Sequence, residues 1–319
     1  MTAADINSVG FTMRIFVTGA SGWLGSATVP ELTGAGHQVV GLARSDASAA
    51  ALTAAGAEVV RGTIDDLDVL RDAAAASDGV IHLAFKHDIA FSGDYQGAAE
   101  ADRRVVDTFG DALAGTGRPL VVASGVIGLV SGRTATERDE PTIDGSPVSV
   151  RAATAQAALA LASRGVRSCV VRLSPTCHGE GDNGFMAALV AVARAKGVSG
   201  YLGDGASRWP AVHRLDAARL FRLAVEKAPA GSVLHGVAEE GVALRDVAEV
   251  IGRHLDVPVT SVAPGDAAEH FTWLGPVLGL DSPASSTLTR ELLGWEPVGP
   301  GLLEDLEKGH YFHVPDTLA

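Results

Sequence analysis

The sequence encodes a doubly wound parallel α/β sheet that carries a smaller C-terminal lobe. Three features point there. The first is the turn Val17-Thr18-Gly19-Ala20-Ser21-Gly22-Trp23-Leu24-Gly25, set between the apolar run Met13-Arg14-Ile15-Phe16 and a helical stretch at 26–32. The second is alternation. Short Val/Ile/Leu runs at 38–43, 57–61, 79–84, 119–124 and 166–173 are separated by Ala-rich helical stretches at 47–55, 66–76, 96–114 and 149–163. The third is that the runs are continuously apolar, as strands become when helices cover both faces of the sheet. Together these imply a parallel sheet of Rossmann type.

Each element has a local reason. Glycine in the first turn lets the backbone approach a ligand closely, and the following helix offers free N–H groups and the positive end of its dipole. A Gly-rich turn in this strand–turn–helix setting is a phosphate cradle. Gly56, Gly115 and Gly165 stand where helices need C-terminal caps. After Leu173 the pattern loosens into a long loop, 174–182, and then into short strands and helices of mixed order. The expected organisation is an N-terminal extension at 1–12, a core at 13–173, and a lobe at 174–319 that returns in part to the core sheet. In an open parallel sheet the ligand lies outside the carboxyl ends of the strands, so the lobe is expected to close over that edge.

Composition excludes several classes. With 319 residues, 47% of them apolar and 20% charged, the chain fits a packed globular protein. A net charge of −13 gives no basic footprint for nucleic acid or anionic lipid. No run reaches the ~18 apolar residues of a membrane span. The start lacks a signal peptide's basic and apolar regions, and Met13 is an alternative first residue. Cys169, inside an apolar run, reads as a core thiol, and the expected compartment is a reducing cytoplasm. His310 and His313 have no nearby Cys or carboxylate to complete a metal site, so no metal is expected. A Gly-x-Ser-x-Gly elbow is absent, which argues against a serine hydrolase.

The turn's Gly-x-x-Gly-x-x-Gly spacing resembles the short-chain dehydrogenase/reductase superfamily. Further segments extend the likeness over about residues 13–300. They are His82-Leu83-Ala84, the stretch 172–181, Leu202-Gly203-Asp204-Gly205, the stretch 212–216, and Leu293-Gly294-Trp295-Glu296-Pro297. In order and spacing they resemble the extended or atypical members of NAD-dependent epimerase/dehydratase type. The resemblance implies that Gly19, Ser21, Gly22 and Gly25 line a dinucleotide pyrophosphate, with Trp23 and Leu24 supplying backbone N–H groups. It implies that Arg44 and Ser45 meet the adenosine ribose, and that Thr63 and Ile64 meet adenine, where the family usually has Asp in place of Thr63. Leu83, Ala84, Phe85 and Lys86 would line the ribose, and Ser174, Pro175 and Thr176 the nicotinamide side. An Arg at position 44 suits a 2′-phosphate, so NADP(H) is the expected cofactor, with NAD(H) left open by neighbouring Asp46.

The family's catalytic Tyr-x-x-x-Lys is missing. The three tyrosines, Tyr95, Tyr201 and Tyr311, are followed four residues on by Ala99, Gly205 and Pro315. Alignment of Ala155-Gln156 with the family's helix puts Val148 at the Tyr position and Ala152 at the Lys position. The candidate replacements are Ser124, Lys86 and His178. Ser124 would bond a substrate carbonyl, Lys86 would steer an oxyanion, and His178, as an imidazole, would donate a proton. A strand-end cap, a solvated loop lysine and a loop-organising imidazole are the respective alternatives. Tyr201, Arg208, Trp209 and His213 belong to the segment that meets substrate in relatives, whereas His82 reads as a packing residue. The expected activity is reduction of a small carbonyl or imine by NADP(H) with a non-standard proton donor. A non-catalytic dinucleotide-binding sensor or scaffold and a sugar-nucleotide epimerase or dehydratase are the alternatives. The helices at 96–114 and 149–163 correspond to those that pair relatives into two-fold dimers, so a homodimer is expected.

Overall fold

The computed structural model describes residues 12–144 and 147–313, apart from the side chains of Phe91, Pro147 and Val148. Residues 1–11 of the expected N-terminal extension lie outside the described residues.

Seven parallel strands form the core sheet. They are β1 (Arg14–Thr18), β2 (Gln38–Ala43), β3 (Glu58–Arg61), β4 (Gly79–His82), β5 (Pro119–Gly125), β6 (Arg167–Leu173) and, after the lobe strands β7 (Thr176–His178), β8 (Ser199–Leu202) and β9 (Arg208–His213), β10 (Ser232–Gly236). Their order is β10-β6-β5-β4-β1-β2-β3, so the winding reverses between β1 and β4. That reversal opens a crevice at the carboxyl edge, where such sheets take their ligands.

Period-two burial explains the continuous apolar runs. In β1, Ile15 and Val17 enter a core with Val39, Ile81, Val121 and Val171, under α1 (Gly25–Gly34) and α8 (Arg214–Lys227). Phe16, between them, enters the opposite core with Val40, Val80, Leu120 and Val170. That second face is covered by α3 (Leu67–Ala75), α5 (Tyr95–Leu113) and α6 (Pro147–Ala160). Phe16 and Phe109 of α5 meet edge-on, ring centres 6.1 Å apart.

The strand and helix limits fall within a few residues of those read from the sequence. Two differences matter for the site. The fourth strand stops at His82 rather than 84, which leaves Leu83 to Lys86 as loop, and a short helix, α4 (His87–Phe91), follows it. The helix expected at 149–163 ends at Ala160 and tightens into a 3-10 turn, Leu161–Arg164, closed by Gly165 at φ +72°. The short α2 (Asp46–Ala54) links β2 to β3.

The lobe has its own core. The helices α7 (Phe185–Lys196), α9 (Leu244–Leu255), α10 (Ala267–Phe271), α11 (Gly275–Leu278) and α13 (Leu302–Glu307) gather Met186, Trp209, Ile251, Phe271 and Leu302. Strands β7, β9 and β11 (Glu239–Ala243) form one small sheet, and β8 pairs with β12 (Val259–Val262). The polar segment 131–144 is anchored across the lobe. Ala135 bridges Ala284, and buried Glu137 accepts from Thr289 N and Oγ1 at the start of α12 (Thr287–Leu293). Among the described residues no helix is long and apolar enough to cross a membrane. Nor does any group of three His, Cys, Asp or Glu there suit a metal ion.

Candidate active site

The turn after β1 is built for close approach. Gly19 has φ +65°, and a Cβ there would stand 2.8 Å from the backbone N of Ala84. A Cβ on Gly25 would come within 2.1 Å of Gly19 O. Such a turn keeps its shape only with glycine, and while Ser26, Ala27 and Thr28 donate to carbonyls of the turn, the N–H groups of Trp23, Leu24 and Gly25 have no backbone partner among the described residues. Trp23 is held from outside. Its indole N–H donates to Cys177 O at 3.1 Å, and the Arg214 guanidinium lies 4.4 Å from the ring centre. The turn has the shape to hold a dinucleotide pyrophosphate, and β7 braces it.

At the far end of the crevice, Ser45 caps α2 by accepting from Ser48 N at 3.1 Å. Arg61, beside Ala43 in the sheet, donates to Ser45 O and to the Asp46 carboxylate at 2.6 and 2.7 Å. Asp46 is thus already paired with a cation. The side chain of Arg44 is exposed and makes no hydrogen bond or ion pair among the described residues. Thr63 donates from both N and Oγ1 to Asp66, at 2.7 and 2.9 Å, which fixes the turn next to Ile64. The role of Arg61 was not legible as function. Its signal in the sequence was only its place at the end of the third strand.

The middle of the crevice is held by a buried relay. Thr18 Oγ1 accepts from Ala84 N and lies 2.6 Å from His82 Nδ1, whose Nε2 lies 3.0 Å from Asp102. The Asp102 carboxylate accepts, so His82 donates from Nε2 and its Nδ1 accepts from Thr18 Oγ1, whose lone pair in turn takes the Ala84 N–H. His82 thus fixes the loop that carries Leu83 and Ala84. The hydroxyls of Ser174 and Thr176 are also committed, to Gly236 O and Pro210 O. Ser124, 7% exposed at the end of β5, makes no hydrogen bond among the described residues.

Arg151, which the sequence reading passed over, reaches this same edge. It lies on α6, and its guanidinium stands 4.3 Å from the centre of the Phe85 ring in the loop after β4. Its Nε is buried without a partner, and it forms no ion pair among the described residues. A shift of one residue in the alignment of α6 puts Arg151 where the family has Lys. No Tyr or Lys marks that position in the sequence. Val148, assigned to the Tyr position, has a side chain outside the described ones.

Other expected site residues are engaged elsewhere. Lys86 is turned to the adenosine side, with Nζ 2.7 and 2.8 Å from the two Asp65 oxygens. His178 is 1% exposed and enclosed by the lobe, with Nδ1 3.0 Å from Asp305 and its ring beside His213 at 5.5 Å. A proton donor must touch substrate, and a sealed imidazole does not. The structure therefore corrects that assignment toward the loop-organising role. Trp209 is wholly buried, with its N–H on Leu280 O, so it meets no ligand. Arg208 is paired with Asp281 through two hydrogen bonds, at 3.1 and 2.9 Å. Arg245 lies 4.9 Å over the Tyr201 ring. His213 caps α8, accepting from Leu215 N at 3.4 Å. Both cysteines are free, and burial pushes each thiol up to about 12, which keeps them protonated.

The NAD-dependent epimerase/dehydratase family profile matches residues 15–235. An uncharacterised protein of Schizosaccharomyces pombe is 48% identical over 301 residues, covering 94% of this chain and 100% of that one. Another, from Saccharomyces cerevisiae, is 43% identical over 300 residues, covering 93% and 99%. Among solved structures, a dTDP-glucose 4,6-dehydratase of Streptomyces venezuelae with NAD bound is similar at TM-score 0.75 and 21% identity, over 93% of this chain and 96% of that one. The profile spans the glycine turn, the winding reversal and the edge strand β10 together, and on that ground the chain belongs to the NAD-dependent epimerase/dehydratase family, an extended short-chain dehydrogenase/reductase without the Tyr-x-x-x-Lys pair.

Proposed function

We propose that the protein reduces a small carbonyl or imine with NADPH. The observation that carries this reading is the Ser124 hydroxyl. It has no hydrogen-bond partner among the described residues, while those of Thr18, Ser174 and Thr176 are all bonded within the protein. The cofactor would be held by Gly19, Gly22 and Gly25 at its pyrophosphate and by Arg44 at a 2′-phosphate. Bound there, it supplies a hydride to the carbonyl or imine carbon. Ser124 donates a hydrogen bond to the substrate oxygen or nitrogen and orients it. Arg151, a cation without an ion pair among the described residues, stabilises negative charge as it builds on that atom. Ser124 then passes its proton on and recovers one from solvent.

The test is NADPH oxidation measured against a panel of aldehydes, ketones and imines. Turnover that depends on Ser124 supports the reading. Tight NADPH binding with no turnover on any of them would favour the sensor or scaffold reading instead. We also propose a homodimer through α5 and α6, which pack side by side on one face of the sheet. Ala152, Ala153, Ala157 and Ala160 give α6 small side chains for close approach, whereas Ala155 and Ala158 are buried against the sheet. Light scattering should report twice the 32.6 kDa chain mass at micromolar concentration, and a monomer would refute the pairing.

A further inference from the structure

The lobe carries an aromatic shelf that the reduction itself does not require. Phe185 opens α7, directly after the loop that follows β7. Its ring centre is 5.3 Å from Trp209 and 5.5 Å from Trp273, tilted 50° and 43° to them. Trp209 is immobile beneath, fully buried and bonded through its N–H to Leu280 O. Trp273, by contrast, is 42% exposed.

Its backbone is unusual too. Trp273 sits in the 3-10 turn Thr272–Leu274, and Thr272 has φ +56° and ψ −128°. A β-branched residue is rarely found at positive φ, and strain of this kind gathers at ligand sites. The shelf and the loop after β5 rest on one apolar support. Ile127, three residues past Ser124, packs on the same apolar cluster as Phe185 and Val277.

Arg208 on this side of the lobe is already bound by Asp281, so its guanidinium does not stand ready for a pyrophosphate. We propose that Phe185, Trp273 and Ile127 form a subsite for the apolar, planar group of the substrate, an aryl or conjugated group attached to the reacting carbonyl. The reaction at that carbonyl rests on the reading above, whereas the subsite needs only binding. Pockets for small molecules are commonly lined in this way, with apolar walls and a few polar groups that fix orientation.

The experiment separates the two. The full-length protein is saturated with NADP+, which permits binding without turnover, and titrated calorimetrically with 2-naphthaldehyde, glyceraldehyde and UDP-glucose. Wild type should bind the naphthaldehyde best. Trp273→Ala should weaken that affinity roughly tenfold or more, the worth of a lost aromatic contact, while Trp273→Phe keeps it within about threefold. Phe185→Leu should weaken it likewise, which keeps the test decisive if the Trp273→Ala chain does not fold. Unchanged naphthaldehyde affinity in both variants overturns the subsite, as does tighter binding of glyceraldehyde or UDP-glucose by wild type. A wild type that binds the naphthaldehyde through Trp273 but never reduces it with NADPH overturns the proposed reaction and leaves the subsite standing.

Discussion

His178 Nδ1 stands 3.0 Å from Asp305 Oδ2, with both side chains almost wholly buried. The pair ties β7, which braces the glycine turn through Trp23, to α13 near the far end of the described chain. Removing the imidazole leaves a buried carboxylate. Lys308 Nζ, 3.5 Å from the other Asp305 oxygen, offsets part of the loss. His178→Ala should therefore cost about 3 kcal/mol, the low end for a broken buried pair, measured by urea denaturation. NADPH affinity of the folded variant should fall only modestly.

Acid should weaken this region in two steps. Burial lowers the pKa of His213, and the neighbouring His178 lowers it further. The unfolded chain then takes up that proton first, so stability falls as pH drops below the ordinary imidazole value of ~6.5. Burial pushes Asp305 up, but the hydrogen bond from His178 and the charges of His178, His310 and His213 together outweigh it, and the net shift is downward. Its contribution is present above the ordinary carboxylate value and is lost as pH falls through the folded one. Asp182 opposes this, because burial raises its pKa and acid stabilises its protonated form. Denaturation midpoints should thus decline from pH 7 to about 5 in wild type, and less in His213→Gln. An equal decline in both would remove His213 from the account.

The proposed preference for NADPH rests on Arg44. It is exposed and unpaired among the described residues, whereas the nearby carboxylate of Asp46 is held by Arg61. A charged hydrogen bond to a 2′-phosphate is worth about 1.5–3 kcal/mol. Arg44→Ala should weaken NADPH binding roughly ten- to a hundredfold and leave NADH almost unchanged. Fluorescence titration reads both, and equal wild-type affinity for the two cofactors would refute the preference.

What could be read from the chain followed the range of its contacts. Strands such as β1 are legible because Ile15, Phe16 and Val17 are buried on both sides, and a continuous apolar run is the local trace of that. The glycine turn is legible because its steric demand falls on residues only a few positions apart, Gly19 and Gly25. The contacts that decide chemistry are long-range. His178 is sealed by Asp305, and Arg151 depends on Phe85 lying in the loop after β4. Nothing near either residue in sequence announces its partner. The edge strand β10 is short, and its place beside β6 follows from the return of the chain through α8.

The chemistry itself is tested by Ser124 and Arg151. A serine hydroxyl is a weak acid, so it needs a neighbouring cation to release a proton to a developing alkoxide. Arg151 can serve because its charge is not neutralised. The Phe85 face beneath it leaves the N–H groups free, and no carboxylate pairs with it among the described residues. Arg151→Lys keeps the charge but loses the planar stack, while Arg151→Met removes the charge and keeps most of the length. On a confirmed substrate, Ser124→Ala should lower kcat by about 10²-fold or more, in the usual range of general acid–base work. Arg151→Met should lower kcat comparably, with Arg151→Lys recovering part of the loss. The two losses should combine to less than their product, as expected for groups that act as a unit. NADPH affinity should survive in Ser124→Ala, since the glycine turn and Arg44 are untouched. Full turnover by both Ser124→Ala and Arg151→Met would place the proton donor elsewhere. Loss in Arg151→Met through KM alone would make Arg151 a binding residue rather than a stabiliser of the alkoxide.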